Sequence, residues 1–326
     1  MRTSGVLKYP DAEWFAFMPC LFCMEQTNYV SLEVTLSYNG KSEVVEHDAY
    51  NGAAYVDMRE CVQGLFGNLG SSLGYGSKSK SDYAVTMTYS VRAASSGGTY
   101  TTLLSSGSTL FVWGGLHVGE TWMERRGATW FRGLPFFVDV YASGSTTCSI
   151  SGGGASQSVS LGSKGLWHVP LSASTFATAK VVTLSVSSKT YRVMVEDCTE
   201  GAYLRWLDRW GRICHYLFKK GADTREVKES DYRRNNLAAW TENGWSGWNG
   251  HRDRKSRSQR LKIGASLVDG DTYEMLCDLV SSPMVEMLVN SAWVSVRVDD
   301  GTWTKSKAAL QDFECEILYD DTPVGG

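Results

Sequence analysis

Between Tyr29 and Tyr38 the chain reads YVSLEVTLSY, with Val30, Leu32, Val34 and Leu36 at alternate places and Tyr29, Ser31, Glu33, Thr35 and Ser37 between them. A period of two sends the two sets to opposite faces of an extended strand, whereas a helix, with 3.6 residues per turn, would scatter them. The same signature returns in SDYAVTMTYSV (81–91), STLFVWGGL (108–116), FFVDVYA (136–142), VVTLSVS (181–187) and YRVMVE (191–196). It returns again in LKIGASLV (261–268), MVEMLV (284–289), AWVSVRV (292–298) and FECEILY (313–319). Turn signals separate these runs, the clearest being Asn39-Gly40, the strongest short-range hairpin signal a sequence offers. The 12 Trp and 16 Tyr lean the same way, toward strands or toward an aromatic binding surface.

The chain therefore reads as mainly β and multidomain, with β-sandwich (Ig-like) and β-barrel-like domains and a few short helices. Its 326 residues are enough for three segments. Residues 1–134 form an N-terminal β domain with one short helix over 56–68, where Met58, Cys61, Val62 and Leu65 recur at helical spacing and Asp57 can cap. Residues 135–200, rich in Ser, Thr and Gly, form a small β-sandwich rather than a linker, because a linker would not carry strand-length apolar alternation. Residues 201–326 form a C-terminal β domain holding one helix over 271–282, with Tyr273, Leu276, Leu279 and Val280 on one face and Pro283 after it, and a Trp/Arg-rich loop insertion over 240–260.

The stretch YLRWLDRWGRICHYLF (203–218) admits two readings. Tyr203, Trp206, Leu207, Trp210, Ile213, Cys214 and Leu217 would make an amphipathic helix with Arg205, Arg209 and Arg212 opposite. Gly201, Gly211 and Gly221 argue against it: they are ten residues apart, each closes a turn-like cluster, and Gly211 would cost a helix interior about 1 kcal/mol. A strand over 203–207, a turn and a strand over 212–218 is the preferred reading.

Chemistry is hard to place on this pattern. The eight cysteines are scattered in apolar contexts, as reduced buried thiols are, and the pair Cys20/Cys23 has no second ligand pair to make a zinc site. The histidines 47, 117, 168, 215 and 251 lie far apart, and Cys214 and His215, adjacent on a strand, point to opposite faces. No nucleophile elbow, P-loop or dinucleotide fingerprint appears, and Glu314 and Glu316 read as the solvent side of a half-buried strand. The expectation is a non-enzyme without metal or cofactor. No basic region followed by an apolar run marks a secretory leader, and no run of about 18 apolar residues is present, so a soluble protein made in the cytosol is expected.

Two features remain as candidate interaction residues. Trp240, Trp245 and Trp248 lie in a Gly/Asn-rich segment where indoles can stack on sugar rings, anchor a protein interface, or pack onto their own domain. Arg252, Arg254, Lys255 and Arg257 follow, with Arg260, as a local phosphate-seeking run, although the net charge of −3 makes nucleic acid a minor expectation and gives no ground for a membrane surface.

The order of DAEWFAFMPC, YVDMRECVQGLFGN, LFVWGGL, YLRWLDRWGRICHYLFKK, SSPMVEMLVNSAWVSVRV and FECEILYDD resembles the β-rich, tail- or baseplate-associated structural proteins of tailed bacteriophages and prophages of gut anaerobes. The landmark is a hairpin matched here by Leu204, Arg205, Trp206, Gly211, Tyr216 and Phe218. The resemblance implies a virion structural protein, a scaffold or adaptor that forms a ring or other homo-oligomer and meets neighbouring virion proteins. A carbohydrate-binding, host-recognition module built on the Trp segment is the alternative.

Overall fold

The computed structural model describes residues 1–67, 73, 78–116, 128–187, 189–229, 232–234, 250–252, 255–299 and 308–324. The chain is mainly β, with several sheets, a six-stranded barrel and two helices among the described residues. It divides into two compact units, one of Met1–Cys198 with Trp206–His215, the other of Thr199–Arg205 with Tyr216–Gly326.

The first unit holds two layered β cores. In one, the four strands Arg2–Ser4, Leu7–Tyr9, Leu21–Glu25 and Ala53–Asp57 form a sheet, and a five-stranded sheet runs Glu13–Phe15, Tyr100–Val112, Ala84–Ser95, Tyr29–Tyr38, Lys41–Asp48. Leu7, Phe22, Met24, Leu32, Val34, Leu36, Val56, Met87 and Phe111 fill their shared core. The helix α1, Arg59–Phe66, adds Val62 and Leu65 to it; its N-cap is Met58, which makes no side-chain capping bond, whereas Asp57, expected as the cap, lies one residue earlier and accepts the Arg59 N–H at 3.0 Å. Asn39 and Gly40 both take positive φ, 49° and 77°, which lets Tyr38 pair with Lys41 across a two-residue turn. One expectation fails here: Val30 is exposed, because the ladder to Ala84–Ser95 shifts register between Tyr29 and Ser31 and changes which residues face the core. Beyond the shift the outer face is covered as well, with Glu33 buried under Arg92 in a bidentate pair at 2.5 and 2.8 Å.

The other core belongs to a sandwich. A five-stranded sheet runs Thr129–Phe131, Lys189–Glu196, Val181–Val186, Thr146–Gly152, Ala155–Leu161, and a three-stranded one runs Phe137–Ala142, Gly165–Pro170, Ser79–Lys80. Trp130, Val140, Cys148, Ile150, Val169, Leu184 and Val193 are buried together in it. The segment 135–200, expected as a small β-sandwich, supplies most of these strands, and the two sheets also take in Thr129–Phe131 and Ser79–Lys80 from ahead of residue 135. A third cluster in the same unit joins Phe15, Ala84, Leu110, Val112, Leu166 and Trp210.

In the second unit, six strands close a barrel in the order Ala202–Leu207, Ile213–Glu229, Lys255–Asp269, Leu310–Val324, Ala292–Val298, Val285–Val289. The helix α2, Gly270–Ser281, starts at Asp269, whose carboxylate accepts the Thr272 N–H at 2.7 Å, and buries Tyr273, Met275, Leu276 and Leu279, while Val280, expected on the buried face, is only half-buried. Asn290 and Ser291 form the turn between the last two barrel strands at φ 48° and 66°.

The stretch 203–218 is a hairpin, as its glycines implied. Ala202–Leu207 and Ile213–Glu229 flank a turn in which the Asp208 N–H donates to the Arg212 carbonyl at 2.8 Å and Gly211 sits at φ +68°. Gly221, by contrast, ends nothing. It lies inside Ile213–Glu229, where the ladder to Lys255–Asp269 shifts between Lys220 and Asp223, so the residue marks a bulge rather than a turn.

Candidate interaction site

The arginines and tryptophans of the hairpin are fixed by their neighbours. In the first unit, Asp208 Oδ1 accepts the N–H groups of Trp210 at 2.8 Å and Arg212 at 2.9 Å, while Oδ2 accepts Arg212 Nε at 2.9 Å and Nη2 at 2.7 Å. Arg212 lies over the Trp210 ring, 4.5 Å from its centroid. In the second unit, Arg205 donates to Glu286 at 2.6 Å and lies 4.0 Å over the ring of Trp293. Both ion pairs are buried, and a buried charge persists only where a partner and hydrogen bonds replace its water. The Asp208–Arg212 pair thus fixes the turn, and the Arg205–Glu286 pair fixes the barrel wall.

A second buried polar knot lies in the sandwich. Asp139 accepts a hydrogen bond from the Ile213 N–H at 2.6 Å and is paired with His168 Nδ1. His215 packs edge-on to Phe137, with ring centroids 4.3 Å apart, while the Cys214 thiol faces Asp208 at 3.8 Å, so the two adjacent residues diverge as strand neighbours must. Burial pushes the thiol of Cys20 well up, that of Cys148 up to about 11 and that of Cys315 up to about 12. A thiol held protonated is a poor nucleophile and a poor metal ligand at neutral pH. No group of three or more His, Cys, Asp or Glu side chains that could hold a metal ion occurs among the described residues.

A cavity of about 160 Å³ in the first unit is lined by Glu13, Trp14, Phe15, Met18 and Leu116. Its walls are mainly apolar, and its carboxylate is engaged: Glu13 accepts from the Tyr141 hydroxyl at 2.8 Å and pairs with Lys164 at 2.5 Å. Burial, then Glu13, drives the Tyr141 phenol well above its ordinary value, which keeps it a donor.

Of the residues singled out in the sequence, Trp240, Trp245, Trp248 and Arg254 lie outside the described residues. Arg252 lies in the short strand Gly250–Arg252, opposite Tyr232. Lys255 and Arg257 are in a barrel strand, paired with Glu229 and Val227 on one side and with Val324 and Thr322 on the other. The basic run was expected as part of a loop insertion reaching residue 260; its second half is instead ladder from Lys255 onward, because the preceding strand extends to Glu229 and offers it a partner. Arg260 is paired with Asp299, and Lys262 with Glu314 at 2.7 Å, which leaves Glu314 on the solvent side of its strand as expected.

What the sequence reading passed over is the state of the sheet edges. The strand Lys41–Asp48 ends its five-stranded sheet and carries Lys41, Glu43, Glu46, His47 and Asp48. The strand Ala155–Leu161 ends the sandwich sheet with the sequence ASQSVSL, which has no charge and no proline. It pairs residue for residue with Thr146–Gly152 without a bulge. A long, flat edge without charge, bulge or proline is a template for another strand. The signal was present in the sequence, but it has meaning only once the strand is known to be outermost.

No family model matches the chain, and no curated protein matches it. Among solved structures it is similar to a protein from work on host cell surface retention of a 1.5-MDa bacterial ice-binding adhesin, with 11% identity over 93% of this chain and 91% of that one, at a TM-score of 0.18. It is also similar to the periplasmic chaperone SfaE, with 10% identity over 58% of this chain and 100% of that one, at 0.21. A third is a Ca2+-stabilized adhesin with which an Antarctic bacterium binds ice, with 13% identity over 98% of this chain and 74% of that one, at 0.21. Scores of this size carry no argument about what the chain does.

Proposed function

We propose that the chain is a non-enzymatic structural subunit, a scaffold or adaptor of a phage tail or baseplate type assembly, acting through association with copies of itself and contacts with neighbouring virion proteins. The observation that carries this reading is the uncharged outer strand Ala155–Leu161, an edge built to accept a further strand. Supporting it, polar side chains buried among the described residues serve architecture: Asp208 holds a turn, Glu286 anchors Arg205 and Asp139 ties His168 to the Ile213 backbone. Folds of this class host many functions, so the reading rests on this surface and on the resemblance of the sequence, not on the architecture.

The test is the mass of the purified full-length protein in solution, alone and after co-expression with the products of neighbouring genes. A multimer or a complex of fixed stoichiometry is expected. A monomer under both conditions overturns the reading. If that monomer binds glycans and loses them on Trp245→Ala with Trp248→Ala, the carbohydrate-binding alternative takes its place.

A further inference from the structure

The strand Ala155–Leu161 has an inner and an outer set of backbone groups, and two observations say which is which. Gly152 pairs with Ala155 across Gly153 and Gly154, at φ 57° and 80°, so the closing pair of this two-residue turn is hydrogen-bonded and alternate residues beyond it turn their amides away from Thr146–Gly152. Consistently, the carbonyl of Ser160 accepts Lys78 Nζ at 2.9 Å from outside the sheet. The N–H and C=O groups of Ser156 and Ser158 therefore face outward, and no hydrogen bond to them occurs among the described residues. The side chains of Ser156, Ser158 and Ser160 are exposed, while Ala155 and Val159 pack against the sandwich core.

The other outer strands of the first unit differ. Lys41–Asp48 is charged along its length, and Arg2–Ser4, Glu13–Phe15, Thr129–Phe131 and Ser79–Lys80 are three residues or fewer, too short to offer a ladder. Ala53–Asp57 ends in a carboxylate and has its Tyr55 carbonyl against His47 Nδ1 at 3.0 Å, and Phe137–Ala142 is buried along nearly all its length, with the Tyr141 N–H donated to the Tyr191 hydroxyl at 3.3 Å.

We infer that Ala155–Leu161 pairs antiparallel with the same strand of a second copy of this chain, about a two-fold axis at Ser158, joining two five-stranded sheets into one. The occupant follows from the sequence of the strand. A two-fold antiparallel pairing sets Ser158 opposite itself, Gln157 opposite Val159 and Ser156 opposite Ser160, so no charged side chain of the strand meets its own image, and Lys78 must give up the Ser160 carbonyl for the Ser156 N–H of the second copy to reach it. Lys41–Asp48 paired with itself would bring like charges together in several registers. The extended sheet would also carry one continuous hydroxyl face, since Thr147, Ser149 and Ser151 on the neighbouring strand lie opposite Ser160, Ser158 and Ser156 and are exposed too. This inference rests on the assembly reading above and names the surface through which a copy binds a copy.

The experiment is sedimentation of the full chain across a concentration series, for the wild type and for Ser158→Pro, Ser158→Lys and Thr190→Lys. Proline removes an outward N–H that the monomer does not use, lysine places a charge at the axis, and Thr190 is exposed on the same sheet three strands away. The wild type should reach twice the 36.0 kDa of the chain. Both Ser158 variants should raise the dimer dissociation constant at least about tenfold, through a lost donor or like-charge repulsion, with circular dichroism and melting unchanged. Thr190→Lys should dimerise as the wild type does. Multimers indifferent to both Ser158 variants overturn this interface and leave the assembly reading intact. A chain that is monomeric alone but joins a complex with its neighbours also overturns self-pairing while sparing that reading, and a monomer in every condition removes both.

Discussion

The strands Lys41–Asp48 and Ala155–Leu161 hold equivalent places: each is the last strand of a five-stranded sheet and each follows its partner through a two-residue turn at positive φ. Five of the eight residues in the first are charged or titratable, and none of the seven in the second is. The turn geometry sends alternate amides outward in both, and in Ala155–Leu161 the Ser160 carbonyl among them accepts Lys78 Nζ. The charges close one edge to other chains by making every approach costly in desolvation or repulsion, and their absence leaves the other open. Two hairpins of the same design thus carry very different charge within one unit.

The support beneath the two edges can be broken separately. Ile150→Ala removes a buried side chain from the strand that carries the neutral edge, and about 2–5 kcal/mol of stability should be lost in denaturant unfolding. Amide exchange should accelerate along Ala155–Leu161 before it does along Lys41–Asp48; equal acceleration would mean the two cores open together.

The turns give a smaller contrast. A Cβ on Gly152 would lie 2.6 Å from the Val181 carbonyl oxygen and 3.2 Å from Val182 Cα, both backbone atoms, so Gly152→Ala should cost about 1–3 kcal/mol. Gly40 has open space around it and only its φ of +77° to defend, so Gly40→Ala should cost about 1–2 kcal/mol. Melting temperatures of the two variants should rank in that order.

Removing the charges should convert one edge into the other. With Lys41→Gln, Glu43→Gln and Asp48→Asn together, stability should stay within about 0.5 kcal/mol per site while light scattering shows a new concentration-dependent association. Unchanged scattering would mean that something besides charge protects this strand.

The smallest effect concerns Glu46. The Ser31 hydroxyl at 2.5 Å and the Tyr100 hydroxyl at 2.9 Å both donate to its carboxylate and hold it below the usual carboxylate range. A lowered folded value means that its contribution is present above the unfolded carboxylate range and is lost only as pH falls through the lower folded one. In an NMR titration Glu46 should therefore protonate later than an ordinary exposed glutamate as the solution is acidified. Coincident titration would show that the two hydroxyls do not hold it in solution.

Much of this fold was legible residue by residue. Alternation located the strands, Asn39-Gly40 located a hairpin, and Pro283 bounded a helix, because each acts over a few bonds of chain. The misreadings share a cause at longer range. Val30 faces solvent because of a register shift against a strand more than fifty residues away, and Gly221 is a bulge because Lys255–Asp269 pairs on both sides of it. The basic run became strand from Lys255 because a long partner reached it. The candidate surface was missed for the same reason: ASQSVSL is unremarkable until it is seen to lie at the end of a sheet.

By itself, then, the amino-acid sequence determined that the chain is built of strands, where most of them turn, and which arginine and tryptophan positions mark the central hairpin. Periodicity, φ preferences and capping are local, so they survive in the linear order of residues. Only the tertiary structure decided which strand is outermost, which charge is paired and which amide points away from its neighbours. These depend on what lies on the far side of each strand, and that is settled by packing between segments far apart in the chain.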